Sequence, residues 1–398
     1  MKLVYIAWLA ALILPAADVH AEKTEDLESF EPKYEQTGEA IADFSGEIDI
    51  AGAEVISGPL KRFVKNWPQD LVIAPVPGRS PQLGWQLTLA GGYFLESKDK
   101  ESDVAPSILG GFVMVAENGS NAYGVGSKLN LLQDKLRVNA AVGHGDIRYR
   151  LYGIGNIAGD RGTGINIIQE GPIFTTSAKW RVWNKLYIGM GYLGGNIETR
   201  LAFNPSTVVP DFDPTLDFGI GAITVPIEYD SRDHEQFPRN GWLLKAKTKI
   251  FRESVGSDFE AETSELAINH YRPARDNDAI AFRGYFRTTS GDAPFFLLST
   301  FGGKTDLRGY ESGRYRDKMM YALQSEYRWQ FNDSWIFTGF AGFGEVAEDI
   351  SAFGDNYLPA AGVGLRYVLS KKHRVGLSAD IAYGKDGAEF YFGVGESF

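Results

Sequence analysis

The chain of 398 residues contains no cysteine, which excludes a disulfide framework, a thiolate metal site and a cysteine nucleophile. After the first twenty residues it also lacks a long apolar run, so no segment reaches the ~20 residues that a membrane-crossing helix needs. Basic residues are not in excess: 40 Lys and Arg face 51 Asp and Glu, a net charge of −11. Nucleic-acid binding is not expected of such a balance, because contacts to a phosphate backbone need clustered cations. Histidine is scarce. His20, His144, His234, His270 and His373 stand at no metal-ligand spacing from one another, and His144 near Ser127 is the loosest conceivable hydrolase pairing. No glycine-rich phosphate loop follows a strand and opens a helix. We therefore expect no enzyme activity, no cofactor and no metal.

What the sequence does contain begins with Lys2, the apolar run Leu3 to Leu14, Pro15 and the small-residue ending Val19-His20-Ala21. This predicts a cleavable export signal over residues 1–21. Between Glu22 and Val55 there are eleven acids against Lys23 and Lys33, a net −9, while everything after Val55 sums to −2. A one-sign run of low hydrophobicity predicts a flexible acidic leader, residues 22–66. Residues 67–81, with Pro75, Pro77 and Pro81, read as a transition segment.

From Gln82 to Phe398 the hydrophobic period is two. Between Tyr321 and Phe331 one face is Tyr321, Leu323, Ser325, Tyr327, Trp329, Phe331; the other is Ala322, Gln324, Glu326, Arg328, Gln330. The same alternation recurs at 361–369 and 375–383, and upstream Ile280, Phe282 and Phe286 oppose Arg283, Tyr285 and Arg287. The runs are ten to fourteen residues long, as tilted membrane-crossing strands should be, and Trp242, Trp329, Trp335 and Tyr383 sit at strand ends like an interfacial girdle. The pattern predicts an all-β fold, a transmembrane antiparallel β-barrel of about sixteen strands. Their starts lie near 82, 106, 121, 135, 171, 185, 216, 240, 259, 277, 295, 318, 334, 357, 373 and 388. A change of apolar parity between Leu216-Phe218-Ile220 and Ile223-Val225-Ile227-Tyr229 suggests a bulge. The last segment puts Phe390, Phe392, Val394 and Phe398 on one face, interrupted by Glu396.

Three segments carry more than periodicity. Phe301-Gly-Gly-Lys-Thr-Asp-Leu-Arg-Gly-Tyr310 leads into the strand with Leu323-Gln-Ser-Glu-Tyr-Arg328; Tyr229-Asp-Ser-Arg-Asp233 is followed by Pro238-Arg-Asn-Gly241; the chain ends Gly-Val-Gly-Glu-Ser-Phe398. In this order they resemble the BamA/TamA superfamily of outer-membrane barrels, also called bacterial surface antigens, over roughly residues 70–398. The resemblance implies that the loop bearing Arg308, Gly309 and Tyr310 folds into the lumen, and that Arg308 meets an acid on the following strands. Glu326 is the first candidate partner and Glu345 the weaker one, because Gly342 stands where the family carries an aspartate. Tyr229, Asp230, Arg232, Asp233 and Gly241 match the family's strand-end motif, and the terminal Phe residues its assembly signal.

By the same resemblance the protein resides in the bacterial outer membrane. Its partners would be outer-membrane lipids, the barrel assembly machinery during biogenesis, and client proteins or a separate periplasmic chain. The 59 residues from Glu22 to Ser80 do not read as polypeptide-transport-associated domains, so a barrel-only member is expected. The implied function is insertion or transport of proteins, or of lipids, with the seam between first and last strand opening sideways. The alternatives are a channel whose selectivity is set by inward Arg283, Arg287, Arg328, Arg366 and Asp380, and a structural surface-antigen barrel. Arg308→Ala is expected to harm the barrel more than Arg366→Ala.

Overall fold

Side chains alternate across a strand, so a strand with one apolar and one polar face can separate lipid from a lumen, and closure of the sheet leaves few unpaired backbone groups. The computed structural model, which describes residues 71–80, 82–95, 107–202, 215–234, 237–275, 277–303, 305–370, 375–394 and 396–398, shows this arrangement. Its strands are β1 (Leu71–Ser80), β2 (Gly84–Leu95), β3 (Ser107–Ala116), β4 (Asn121–Leu131), β5 (Leu136–Leu151), β6 (Ile165–Trp183), β7 (Leu186–Leu201), β8 (Thr215–Asp230), β9 (Gly241–Phe251), β10 (Ala261–Pro273), β11 (Ala279–Gly291), β12 (Ser299–Phe301), β13 (Tyr315–Asp317), β14 (Met319–Gln330), β15 (Trp335–Ala347), β16 (Leu358–Ser370), β17 (Val375–Gly384) and β18 (Gly387–Val394). All but β12 and β13 form one closed antiparallel barrel of sixteen strands, in which β11 pairs with β14 and β1 with β18. A single helical turn pair, α1 (Asn156–Arg161), lies in the β5–β6 connection. Among the described residues no helix is long and apolar enough to cross a membrane. The expected signal and leader lie outside the described residues.

Both ends of the barrel reach the same rim, where most turns are short; the opposite rim carries longer connections, including residues 292–318. That asymmetry is the one of periplasmic and extracellular rims. Trp85, Trp180, Trp183, Trp242, Trp329 and Trp335 are exposed on the outer face near the two rims, as an interfacial girdle requires.

Two boundaries differ from the sequence reading. The barrel begins at Leu71, not Gln82, because the proline-bearing transition segment is strand β1. Its pairing with β2 is unbroken from Leu71 opposite Tyr93 to Ser80 opposite Gly84. Proline has no N–H to give a ladder, so Pro75 and Pro77 are tolerated only with their ring nitrogens turned away from β2, toward the seam. The apolar segment near Phe295, expected as a wall strand, instead forms a 3-10 turn (Phe295–Leu297) and β12, which pairs with β13 inside the long loop. The two differences cancel in the strand count. The expected bulge in β8 is also absent: the β7–β8 register keeps one offset from Leu186 opposite Tyr229 to Arg200 opposite Thr215. Parity changes because Phe218 and Ile220 face inward, where they join an internal apolar cluster with Leu193, Phe251 and Phe296.

Candidate functional site

Residues 292–318, between β11 and β14, turn back into the lumen. Phe301, Leu307, Tyr310 and Tyr315 are buried with Met320, Ala322, Val346, Leu358 and Ala360 of the wall, so the loop holds its place with an apolar face of its own. Tyr310 stacks edge-on against Phe301 and Tyr315. Its hydroxyl donates to the Pro359 carbonyl at 2.6 Å and accepts from the Lys385 N–H at 3.2 Å. Gly309, at φ +111°, donates its N–H to the Tyr391 hydroxyl at 2.8 Å. A Cβ there would lie 3.1 Å from the backbone of Tyr383 and Gly384, in a conformation that side chains rarely adopt. Arg-Gly-Tyr therefore works as one unit, in which glycine lets the backbone touch β17 while the neighbours point to opposite sides.

Arg308 is fully buried and reaches three wall strands. Its Nη2 donates to Glu326 Oε2 at 2.5 Å, its Nη1 to Asp380 Oδ2 at 3.1 Å and its Nε to Gln324 Oε1 at 3.2 Å. The guanidinium plane lies over the Phe340 ring, 3.3 Å from its centre, a position that suits a weakly hydrated planar cation. Glu326 is thus the partner expected from the sequence. Glu345 is not: it accepts backbone N–H bonds from Gly354, Asp355 and Asn356 at 2.8–3.2 Å, holding the β15–β16 connection. The second carboxylate on Arg308 comes from Asp380 of β17. A side chain at Gly342 would collide with Leu307 of the loop, so the glycine makes room and the carboxylate comes from elsewhere.

The network does not end at Arg308. Arg366 Nη1 and Nη2 donate to Asp380 at 2.6 and 3.2 Å, and its Nε donates to Glu396 at 3.0 Å. Arg328 Nε donates to Glu326 at 2.8 Å, and its Nη2 donates to the Phe398 carbonyl at 2.8 Å. Three guanidinium groups and three carboxylates thus close a neutral, buried cluster, the condition under which buried charge is tolerated. Gly364 is the gap that admits it, since a Cβ there would overlap the Asp380 carboxylate.

Two of the cluster's members belong to the C-terminal tail. Phe390 and Phe392 keep the outward face of β18, with Tyr391 turned inward toward Gly309. β18 ends at Val394, however, and Phe398 does not share that face as expected. It packs inside against Leu243, Tyr271 and Ala281, because Arg366 and Arg328 draw Glu396 into the lumen. Nothing in the alternation could show this; the inward parity of Arg366 and Asp380 was the available signal.

The seam is weak where the tail departs. Among the described residues β1 and β18 are registered at one position, Arg79 opposite Phe392, whereas β17 and β18 pair from Leu377 opposite Val394 to Gly384 opposite Gly387. On the extracellular side the mouth is covered. Lys385 binds Asp160 of α1 at 2.6 Å and Arg314 binds Asp386 at 2.7 Å; the ammonium beside Asp160 holds that carboxyl below its usual value.

The strand-end motif is a periplasmic clasp rather than part of the lumen cluster. Arg232 donates to both Asp230 oxygens at 2.9–3.0 Å, Asp233 accepts from the N–H groups of Arg239 and Asn240, and Gly241 at φ +111° leaves no room for a Cβ beside the Ser231 carbonyl. Tyr229 lies on the outward face of β8.

A closed sixteen-strand barrel with a buried arginine loop inside it defines an outer-membrane barrel of a particular kind. Residues 209–398 match the Omp85 superfamily domain, and the barrel is one of the bacterial outer membrane. The fold is similar to that of BamA from Haemophilus ducreyi lacking POTRA domains 1-3, at 15% identity and TM-score 0.57 over 83% of this chain and 70% of that one. It is also similar to CdiB from Acinetobacter baumannii (12%, TM-score 0.54) and from Escherichia coli (11%, TM-score 0.55), each over 83% of this chain. The chain spans 60% and 63% of the length of those two CdiB chains. No curated protein matched the sequence.

Proposed function

We propose that this barrel assists the insertion or transport of proteins, or of lipids, at the outer membrane, by a step that needs no catalytic residue or cofactor. The observation that carries the reading is the joining of loop and seam by one charge cluster. Arg366 binds Asp380, which Arg308 also binds, and at the same time Glu396 on the tail that follows β18. A loop held this way and a seam paired at one position are elements of a wall that opens sideways, with a client strand supplying the backbone pairing.

The prolines give that opening a polarity. Two of the donors that β1 would turn toward β18 are missing at Pro75 and Pro77, so a continuous ladder on β1 is ruled out and β18 is the edge that can accept a strand. In the variant Pro77→Val, which the register places opposite Val394 at the end of β18, the seam should gain a backbone hydrogen bond. That bond adds roughly 0.5–1.5 kcal/mol, so the compact form on gels should survive to a higher temperature while activity falls. An unchanged melting temperature would show that Pro77 does not govern the seam.

The test of function is outer-membrane protein and lipid composition in cells depleted of this chain, restored with wild type or with Arg308→Ala. Loss of other barrels, surface proteins or lipids, reversed only by wild type, supports the reading. Unchanged composition favours a channel, the second reading, for which the inward Lys245, Lys247 and Lys249 of β9 speak; bilayer conductance would then decide.

A further inference from the structure

The turns of the periplasmic rim are unequal in charge. Those after β8, β10 and β14 carry Asp233, Asp278 and Asp333. The neighbouring turns after β4 and β6 carry Lys135, Arg181 and Lys185, and among the described residues no carboxylate pairs with Lys135 or Lys185. The acid beside them in sequence, Asp134, is already taken: Arg137 donates to both its oxygens at 2.7 Å, and the Tyr187 hydroxyl donates to Oδ2 at 2.6 Å. A positive excess is therefore left at this one sector of the rim.

The two turns form one surface. The Arg181 N–H donates to the Lys135 carbonyl at 2.8 Å, and Arg181 Nη2 donates to the Gln133 carbonyl at 3.0 Å. Leu132, Gln133 and Asp134 stand at φ 53°, 56° and 62°, a left-handed run that L side chains seldom adopt; the contacts of Arg137 and Tyr187 with Asp134 hold it. In this turn Leu132 is 60% exposed, and at the other turn Trp183 is 74% exposed, with Val182 and Trp180 exposed next to it. These side chains continue the lipid-facing wall, since Trp183 stands opposite Leu186 and Trp180 opposite Leu136. The layer that meets a lipid-facing wall at its rim is the headgroup layer of the bilayer.

We propose that this sector binds the headgroup of an anionic phospholipid of the periplasmic leaflet, with Lys135, Arg181 and Lys185 on its phosphate and Trp183 and Leu132 among its glycerol and upper acyl groups. Cations in excess at a membrane surface attract lipids of net negative charge, and a guanidinium among them suits phosphate oxygens in particular. Exposed apolar side chains at the same height call for an occupant that is itself partly apolar. An anionic lipid meets both conditions, whereas a free phosphate meets the first alone. Bound there, the lipid fixes the β4–β7 sector in the bilayer. The inference does not rest on the transport reading, since a channel would be anchored in the same way.

The test titrates the full chain in detergent with phosphatidylglycerol or phosphatidylcholine and counts the lipid retained by native mass spectrometry. Wild type should retain phosphatidylglycerol severalfold more than phosphatidylcholine, and excess glycerol phosphate should not displace it. In the double variant Lys135→Gln, Lys185→Gln that preference should fall severalfold, and further when Arg181→Gln is added; Trp183→Ser should lower retention of both lipids. Heat-modifiability on gels shows which variants are folded, and only those are compared. Equal retention of the two lipids by wild type, or an unchanged preference in the folded double variant, would overturn the proposal. Displacement by glycerol phosphate would also overturn it, leaving a site for free phosphate. Binding of a fluorescent polyglutamate peptide to wild type but not to the double variant, with the lipid preference unchanged, would instead assign the surface to an acidic protein.

Discussion

Arg308→Ala is expected to release the internal loop and to lower markedly the temperature at which the compact, heat-modifiable form of the barrel is lost. The substitution leaves two guanidinium groups facing three carboxylates in a buried site, so one negative charge goes uncompensated. Removing one partner of a buried ion pair costs about 3–5 kcal/mol, more than the pair itself contributes, because the remaining charge stays desolvated. The contact with the Phe340 ring and the hydrogen bond to Gln324 are lost as well. Arg308→Lys separates charge from shape: it restores a cation but not the fork that spans Glu326 and Asp380, and should fall between wild type and alanine. Limited proteolysis supplies the independent readout. Cleavage at Arg314 or Arg316, the latter fully buried in the wild type, should appear in Arg308→Ala under conditions where wild type is intact. A melting temperature and digestion pattern equal to wild type would mean that the apolar face of the loop, not the ion cluster, holds it in place.

Much of the architecture was legible because a lipid-facing strand writes its environment into every second residue. The inward Gln324, Glu326 and Arg328, or Arg366, Ser378 and Asp380, are on the faces that parity assigned them. Legibility failed where another constraint competed. Pro75 and Pro77 disguised β1 as a linker, since proline is normally foreign to a sheet; only the openness of the seam makes it acceptable. The segment around Phe295 looked like a wall strand because a loop packed inside a barrel also needs apolar residues. Phe218 and Ile220 imitated a bulge because part of this lumen is apolar.

The site was half visible. Arg308 and Glu326 lie 18 residues apart, and their meeting follows from a loop that precedes its own partner strand. Asp380 comes 72 residues after Arg308, and its role depends on closure of the barrel, which brings β17 next to a loop attached at β14. Pairings of that range are set by topology, which periodicity does not report. Glu345, nearer in sequence than Asp380, has the outward parity that disqualifies it and serves the extracellular connection instead.

Arg366→Ala should be at least as damaging as Arg308→Ala, in contrast to the ranking expected from the sequence. Arg366 is fully buried and binds two carboxylates, Asp380 through both Nη groups and Glu396 through Nε. Without it, among the described residues, Asp380 keeps Arg308 Nη1 at 3.1 Å as its cation, and Glu396 keeps Arg328 at 3.8 Å. A loss again on the order of 3–5 kcal/mol follows, with a second consequence that Arg308→Ala should not share. Glu396 anchors the tail, so Arg366→Ala should free Phe398, and carboxypeptidase should trim the last residues faster than in Arg308→Ala. Since both arginines act on Asp380 and approach Glu326, the double variant should be less destabilised than the two single losses combined. That shortfall measures the coupling between loop and seam on which the proposed lateral opening depends. Strict additivity, with a tail no more accessible than in wild type, would mean that Arg308 and Arg366 pin two separate parts of the wall, and the loop would have no physical means of sensing the seam.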